Sequence, residues 1–132
     1  MILDTSVIIA ILNKEPERET ALNILENADH IKIAAGTLME ATLIVQSRYG
    51  AQGQKELDII LESGAVQCVP STRAHVSLVE KAFAQYGKGQ GSKAQLNFGD
   101  CFAYALAKET NETLFFKGED FLYTDLKLMR LT

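Results

Sequence analysis

Every stretch of this chain that reads as a β-strand is short and apolar, and a helix-length segment separates most of them from the next. That spacing constrains the fold more than any other feature. Met1 to Leu3, "IKIAA" at 31–35, "VQCVP" at 66–70, "TLFF" at 113–116 and "KLMRL" at 127–131 are the strand candidates. Between them lie "TSVIIAILN", "PERETALNILENA", "TLMEATLIVQSRY", "QKELDIILES", "TRAHVSLVEKAFAQY" and "DCFAYALAKET", six segments of helical length and periodicity. No two strand candidates are joined by a hairpin signal. Such strands pair in parallel and are covered by helices on both faces. The fold class is therefore α/β, a layered sandwich around a mostly parallel sheet of four to five short strands.

The length of 132 residues, with 47% hydrophobic content, matches one compact domain spanning 1–132. Cys68 and Cys101 lie far apart, with no CxxC and no histidine at zinc-ligand spacing, so buried reduced thiols are expected rather than a disulfide or a structural zinc. His30 and His75 read as surface residues. The start carries no basic segment, and its unbroken apolar run reaches only from Val7 to Leu12, too short for export or a membrane span. A cytoplasmic location without membrane attachment is expected. The net charge of -4 argues against a general nucleic-acid binder, whose footprint is a basic face, and turns attention to the 17 acidic residues.

Three of those acids trail strands: Asp4 directly, Glu40 one helical turn beyond the second, and Asp120 four residues after "TLFF". In open parallel sheets the functional crevice lies outside the carboxyl ends of the strands, so side chains distant in sequence can meet there. Asp100, in "NFGDC", opens the helix before "TLFF". A helix that precedes a strand is expected to start at the opposite edge, and the long Gly-rich loop from Gly87 to Gly99 would then be needed to return it. The bland alternative at each position is helix capping: Thr37 to Glu40 fits a capping box, Asn97 to Asp100 has a related arrangement, and Asp4 can cap the first helix. A shared cause favours function over capping. Unit charges ~4.5 Å apart repel by roughly 4 kcal/mol at an effective dielectric near 20, so clustered carboxylates call for a cation. A hard divalent metal takes oxygen ligands and needs neither histidine nor cysteine.

"MILDTSVIIAIL", Glu40 in "TLMEA", "LNFGDCFAYALA" and "LFFKGEDFLYTD", four motifs in order along the whole chain, resemble the PIN-domain ribonucleases, and specifically the VapC toxins of bacterial toxin and antitoxin pairs. The resemblance implies a PIN-like α/β/α sandwich, a magnesium or manganese site and endonucleolytic cleavage of RNA. Asp4, Glu40 and Asp100 match the three acidic positions of the family motif, and Asp120 the fourth. Asp4, Asp100 and Asp120 would hold metal, Glu40 would orient or deprotonate the attacking water, and Ser6 would support a carboxylate or a bound water. Glu119 departs from the usual neighbour of the fourth acid, which sets Glu119 against Asp120 for that place; Asp120 is favoured. Lys88, Lys93 and Lys117 are the candidates for RNA phosphate contacts, whereas Phe98, Phe115 and Phe116 are assigned to the core. A VapB-like antitoxin and a homodimer are also implied as partners.

Three alternatives compete. A phosphatase of the haloacid dehalogenase type needs Asp-x-Asp, but the second place here is Ser6. A phosphoreceiver needs paired acids after the first strand, which are absent. A catalytically silent PIN-like module that binds RNA or a partner is the remaining rival, disfavoured because every acid that catalysis needs is present.

Overall fold

A computed structural model describes residues 1–132. Five strands, β1 (Ile2–Leu3), β2 (Lys32–Ala34), β3 (Gln67–Val69), β4 (Leu114–Phe116) and β5 (Leu128–Arg130), form one sheet in the order β3-β2-β1-β4-β5. Every pairing is parallel, with Ile2 opposite Lys32 on one side and opposite Leu114 on the other. Five helices complete the chain: α1 (Thr5–Leu12), α2 (Arg18–Glu26), α3 (Ala35–Ser63), α4 (Arg73–Tyr86) and α5 (Phe98–Thr110).

Successive residues of a strand point to opposite faces, and the core divides accordingly. Leu3, Ile33 and Phe115 pack with Val7, Ile8 and Ile11 of α1, Leu25 of α2 and Val45 and Leu57 of α3. Ile2, Ala34, Leu114 and Phe116 pack on the other face with Ala82 and Tyr86 of α4, Ala103, Tyr104 and Ala107 of α5, and Phe121. Helices thus cover both faces of the central strands, while Gln67 and Cys68 of edge strand β3 and Met129 and Arg130 of edge strand β5 remain exposed.

The third and fourth helices read from sequence are one run, Ala35–Ser63, broken at Gly50, whose φ of 62° and ψ of -149° lie outside the helical region and suit only glycine. The run begins at Ala35, not at Thr37. Thr37 is consequently fully buried inside the first turn, its hydroxyl has no partner, and the capping box proposed for Thr37 and Glu40 does not form. Glu40 is left free of a backbone role.

Four placements read from sequence are corrected. His75 is buried, its Nε2 2.8 Å from Glu109 Oε1 on α5. The buried face of α4 therefore passes through His75, Ala82 and Tyr86, while Val76 and Phe83 are exposed. Cys68 is exposed on edge strand β3, in contrast to buried Cys101. Phe98 is 79% exposed and stacks edge-on against Phe102, so it is no core residue; Phe115 and Phe116 are.

The Gly-rich loop is closed at its neck: Lys88 N donates to Leu96 O and Leu96 N to Tyr86 O, with Ala94 and Leu96 buried in the core. No helix is long and apolar enough to cross a membrane.

Candidate active site

The sheet order places a topological switch between β1 and β4: the chain builds outward through β2 and β3 on one side, then returns to build β4 and β5 on the other. Connections diverge there, opening a crevice beyond the carboxyl ends of the strands. Asp4 sits at its centre. It ends β1 through its backbone N–H, which donates to Phe115 O on β4, and it begins α1 as the N-cap residue, its Oδ2 accepting from Ser6 N at 3.1 Å and Ser6 Oγ at 2.5 Å. Ser6 Oγ in turn accepts from the backbone N–H of Lys117, just past β4, at 2.8 Å. The serine thereby ties the first acid to the fourth strand.

Glu40 approaches on α3 from beside β2. Opposite it stands Gly99 of α5, where a Cβ would lie 1.9 Å from Glu40 Oε2. The glycine is what lets the two helices bring Glu40 to the start of α5.

Asp100 shows that capping and function are compatible. Asn97 Oδ1 accepts from Asp100 N and Asp100 Oδ2 accepts from Asn97 N, both at 3.0 Å, a complete capping box. The same carboxylate nevertheless lies in the field of the other acids. Burial pushes its pKa up to about 7; the Asn97 N–H opposes the rise, and the charges on Asp4, Asp120 and Glu40 add to it. Burial likewise raises the Asp4 carboxyl; its Ser6 hydrogen bonds pull it down and the Glu40 charge adds to the rise.

The expected obstacle to Asp100 does not arise. A helix that feeds a parallel strand must run antiparallel to it, so α5 starts at the carboxyl edge, beside Asp4, and the loop need not carry it back from the far edge.

Glu119 and Asp120 are both exposed; the Glu119 carboxylate lies 3.8 Å from Arg130, whereas the charge on Asp120 is felt at Asp100. None of Asp4, Glu40, Asp100 and Asp120 takes part in a salt bridge, although most of the chain's other close acid and base contacts are paired. Four acids without a basic partner, two with raised pKa values, are a donor set suited to a hard divalent cation. Their present side-chain positions do not converge: no three His, Cys, Asp or Glu residues are grouped closely enough to hold an ion. Asp4 and Asp100 direct one oxygen each to Ser6 and Asn97 instead.

The three lysines differ. Lys117 Nζ is held by Glu15 and Glu17, so its charge is already compensated. Lys93 Nζ stands 5.6 Å from the centroid of the Tyr123 ring, three residues past Asp120, and Lys88 is exposed with no ion-pair partner.

Sequence reasoning missed Gly99, although a glycine one residue before an acid in a first helical turn could have been read as a close approach. It also missed Tyr104 and Lys108, at i+4 and i+8 from Asp100, which engage Asp125: Tyr104 Oη donates to Oδ1 at 2.6 Å and Lys108 Nζ to Oδ2 at 2.7 Å.

Comparison with known proteins accords with this arrangement. The family model described as PIN domain matches residues 1–127. The VapC ribonuclease Mb0640 of Mycobacterium bovis is 39% identical over 132 residues, 99% of each chain. A ribonuclease VapC of Mycolicibacterium smegmatis is 36% identical over 126 residues, covering 96% of this chain and 97% of its own. Among solved structures, VapBC2 from Rickettsia felis, bound to a DNA fragment from its promoter, superposes with a TM-score of 0.79 at 19% identity, covering 99% of this chain and 98% of that one.

Proposed function

The chain belongs to the PIN-domain family, and on that premise we propose that residues 1–132 act as one domain, a divalent-metal-dependent endoribonuclease and the toxin of a toxin and antitoxin pair. The observation that carries this reading is the group of four carboxylates at the β1/β4 switch point, without basic partners, one of them pushed up to about 7. The identity to named VapC ribonucleases over nearly the full chain supports RNA as substrate.

Asp4, Asp100 and Asp120 are the residues to hold the metal. Magnesium is the expected ion, with manganese able to replace it, because both take oxygen donors at octahedral positions. When bound, the ion supplies positive charge to the scissile phosphodiester and acidifies water. Each remaining task falls to the chain itself. Ser6 holds Asp4 in place from the β4 side. Asn97 holds one oxygen of Asp100, leaving the other for the site. Glu40, placed against Gly99, takes at its carboxylate the proton of the attacking water as that oxygen bonds to phosphorus in line and the opposite P–O bond breaks. Lys88 and Lys93 are the lysines available to RNA phosphates, and Lys117 serves instead as a clamp on Glu15 and Glu17.

A VapB-like antitoxin is the proposed partner, supported by the VapBC2 pair of like fold. Exposed Met39, Leu43 and Phe98 are the apolar surface available to a homodimer. Incubating the purified chain with total RNA and manganese, beside Asp100→Asn and an EDTA control, tests the reading. Discrete new ends that need both metal and Asp100 are expected. Identical patterns from wild type and variant would leave the silent binding module as the better account.

A further inference from the structure

Asp100, Tyr104 and Lys108 succeed one another at i, i+4 and i+8 and so form a single stripe along α5. The segment from Lys117 to Lys127 lies along that stripe. Asp120 adds its charge to the field at Asp100, and Asp125 meets Tyr104 and Lys108 farther down. These two contacts are opposite in sign. Asp120 brings a like charge toward the α5 N-terminus, which disfavours its approach, while Asp125 meets a cation and a hydroxyl donor and holds the segment on.

The rest of the segment is tight. Phe121 is buried edge-on against Phe116, Leu122 N donates to Glu119 O, and both Thr124 N and Thr124 Oγ1 donate to Phe121 O. At its start the Lys117 backbone is tied to Ser6 and the Lys117 side chain to Glu15 and Glu17. Asp125 is the fixed point at the other end, so a displacement there is passed through overlapping turns to Asp120. Of its two bonds the one from Tyr104 is the stronger restraint. Tyr104 is buried, its ring lies 6.1 Å from that of Tyr86, and its hydroxyl donates to a carboxylate. The Lys108 pair is about two-fifths exposed at both partners and contributes little by itself.

We infer that Asp125, latched by the Tyr104 hydroxyl, is a positioning residue that holds the segment bearing Asp120 onto α5, and so sets the affinity of the acid site for a divalent cation. The inference rests on the metal-nuclease reading and extends it to residues outside the acid set. Outer groups that orient metal ligands typically change metal affinity by about ten- to a hundredfold when removed.

The test is manganese affinity of the full chain, read by electron paramagnetic resonance, with amide exchange of residues 117–127 measured on the same samples. Asp125→Ala and Tyr104→Phe are expected to weaken manganese binding about tenfold and to speed exchange at Asp120 and Phe121. Asp125→Asn, which keeps an oxygen for Tyr104 but loses the charge that strengthens that bond, is expected to weaken binding by less than Asp125→Ala does. In an Asp120→Asn background the Asp125→Ala change should have no further effect on affinity. Equal losses in both backgrounds, or wild-type affinity in both Asp125→Ala and Tyr104→Phe, would overturn the latch while leaving the nuclease intact. Wild-type affinity in Asp120→Asn alone would overturn instead the assignment of Asp120 to the metal.

Discussion

Replacing Gly99 by alanine separates the two functions of the α5 N-terminus. The added Cβ would fall 1.9 Å from Glu40 Oε2, 2.7 Å from Cδ and 2.9 Å from Oε1, where ordinary contact begins at 3.4 Å. The carboxylate must therefore withdraw by about 1.5 Å, which it can do because it is the end of a flexible side chain and no backbone atom blocks the methyl group. The fold loses little: alanine is favoured over glycine by ~1 kcal/mol inside a helix, which offsets the cost of moving Glu40. The chemistry loses much. A displacement of ~1 Å in a reacting group can cost about a hundredfold, and removing a general base costs about a hundred- to ten-thousandfold. Single-turnover cleavage of an RNA carrying the mapped site is expected to slow by roughly a hundred- to a thousandfold, with Tm within a few degrees of wild type. Glu40→Gln should slow it by a similar factor, and the double variant should be no slower than the worse single one, since both remove the same proton acceptor. Cleavage by Gly99→Ala within about threefold of wild type, in a protein that folds normally, would refute Glu40 as the base.

Other consequences follow from the same geometry. In EDTA the folded protein retains the Asp100 proton up to about pH 7 while the unfolded chain releases it near the ordinary carboxylate value. The folded state then binds more protons across that window, and stability falls as pH rises through it. The full shift corresponds to ~4 kcal/mol, and partial solvent exposure reduces this to roughly 2. Urea unfolding at pH 5 and pH 8, which spans about two-thirds of that window, should show a loss of about 1 kcal/mol in wild type and none from this group in Asp100→Asn, which also keeps an oxygen for the Asn97 N–H. Gly36→Ala places a Cβ 2.2 Å from the Phe102 ring; an overpacked aromatic should lower stability by about 1–3 kcal/mol, measurable as a shift in urea midpoint at unchanged slope. Lys88→Ala should reduce the slope of RNA affinity against salt by about 0.7, while Lys117→Ala, already compensated by Glu15 and Glu17, should leave it unchanged.

The sheet was legible in the sequence because its strands are short, no hairpin signal joins them, and most of the segments between them carry helical periodicity. All five strands fall inside the segments named for them. What escaped was information carried by partners remote in sequence. His75 reads as a surface residue until Glu109, on the next helix, is seen against it. Phe98 reads as core, but it occupies the first position of α5, where only Phe102 shields it. Thr37 and Glu40 match a capping box by spacing, and the true helix start at Ala35 cancels the match. Asp4, Glu40 and Asp120 each act on the charge of Asp100, and the direction of α5 makes the returning loop expected for Asp100 unnecessary. Asp125 carries no sign of its partner, since nothing in its own segment points to Tyr104.

Manganese soaked into crystals of the protein and located by its anomalous signal tests the central claim most directly. The predicted result is a peak at coordinating distance from carboxylate oxygens of Asp4, Asp100 and Asp120, with Glu40 beyond it. A peak elsewhere, or none at manganese concentrations that support RNA cleavage, would contradict the claim that these four acids form one metal-dependent nuclease site.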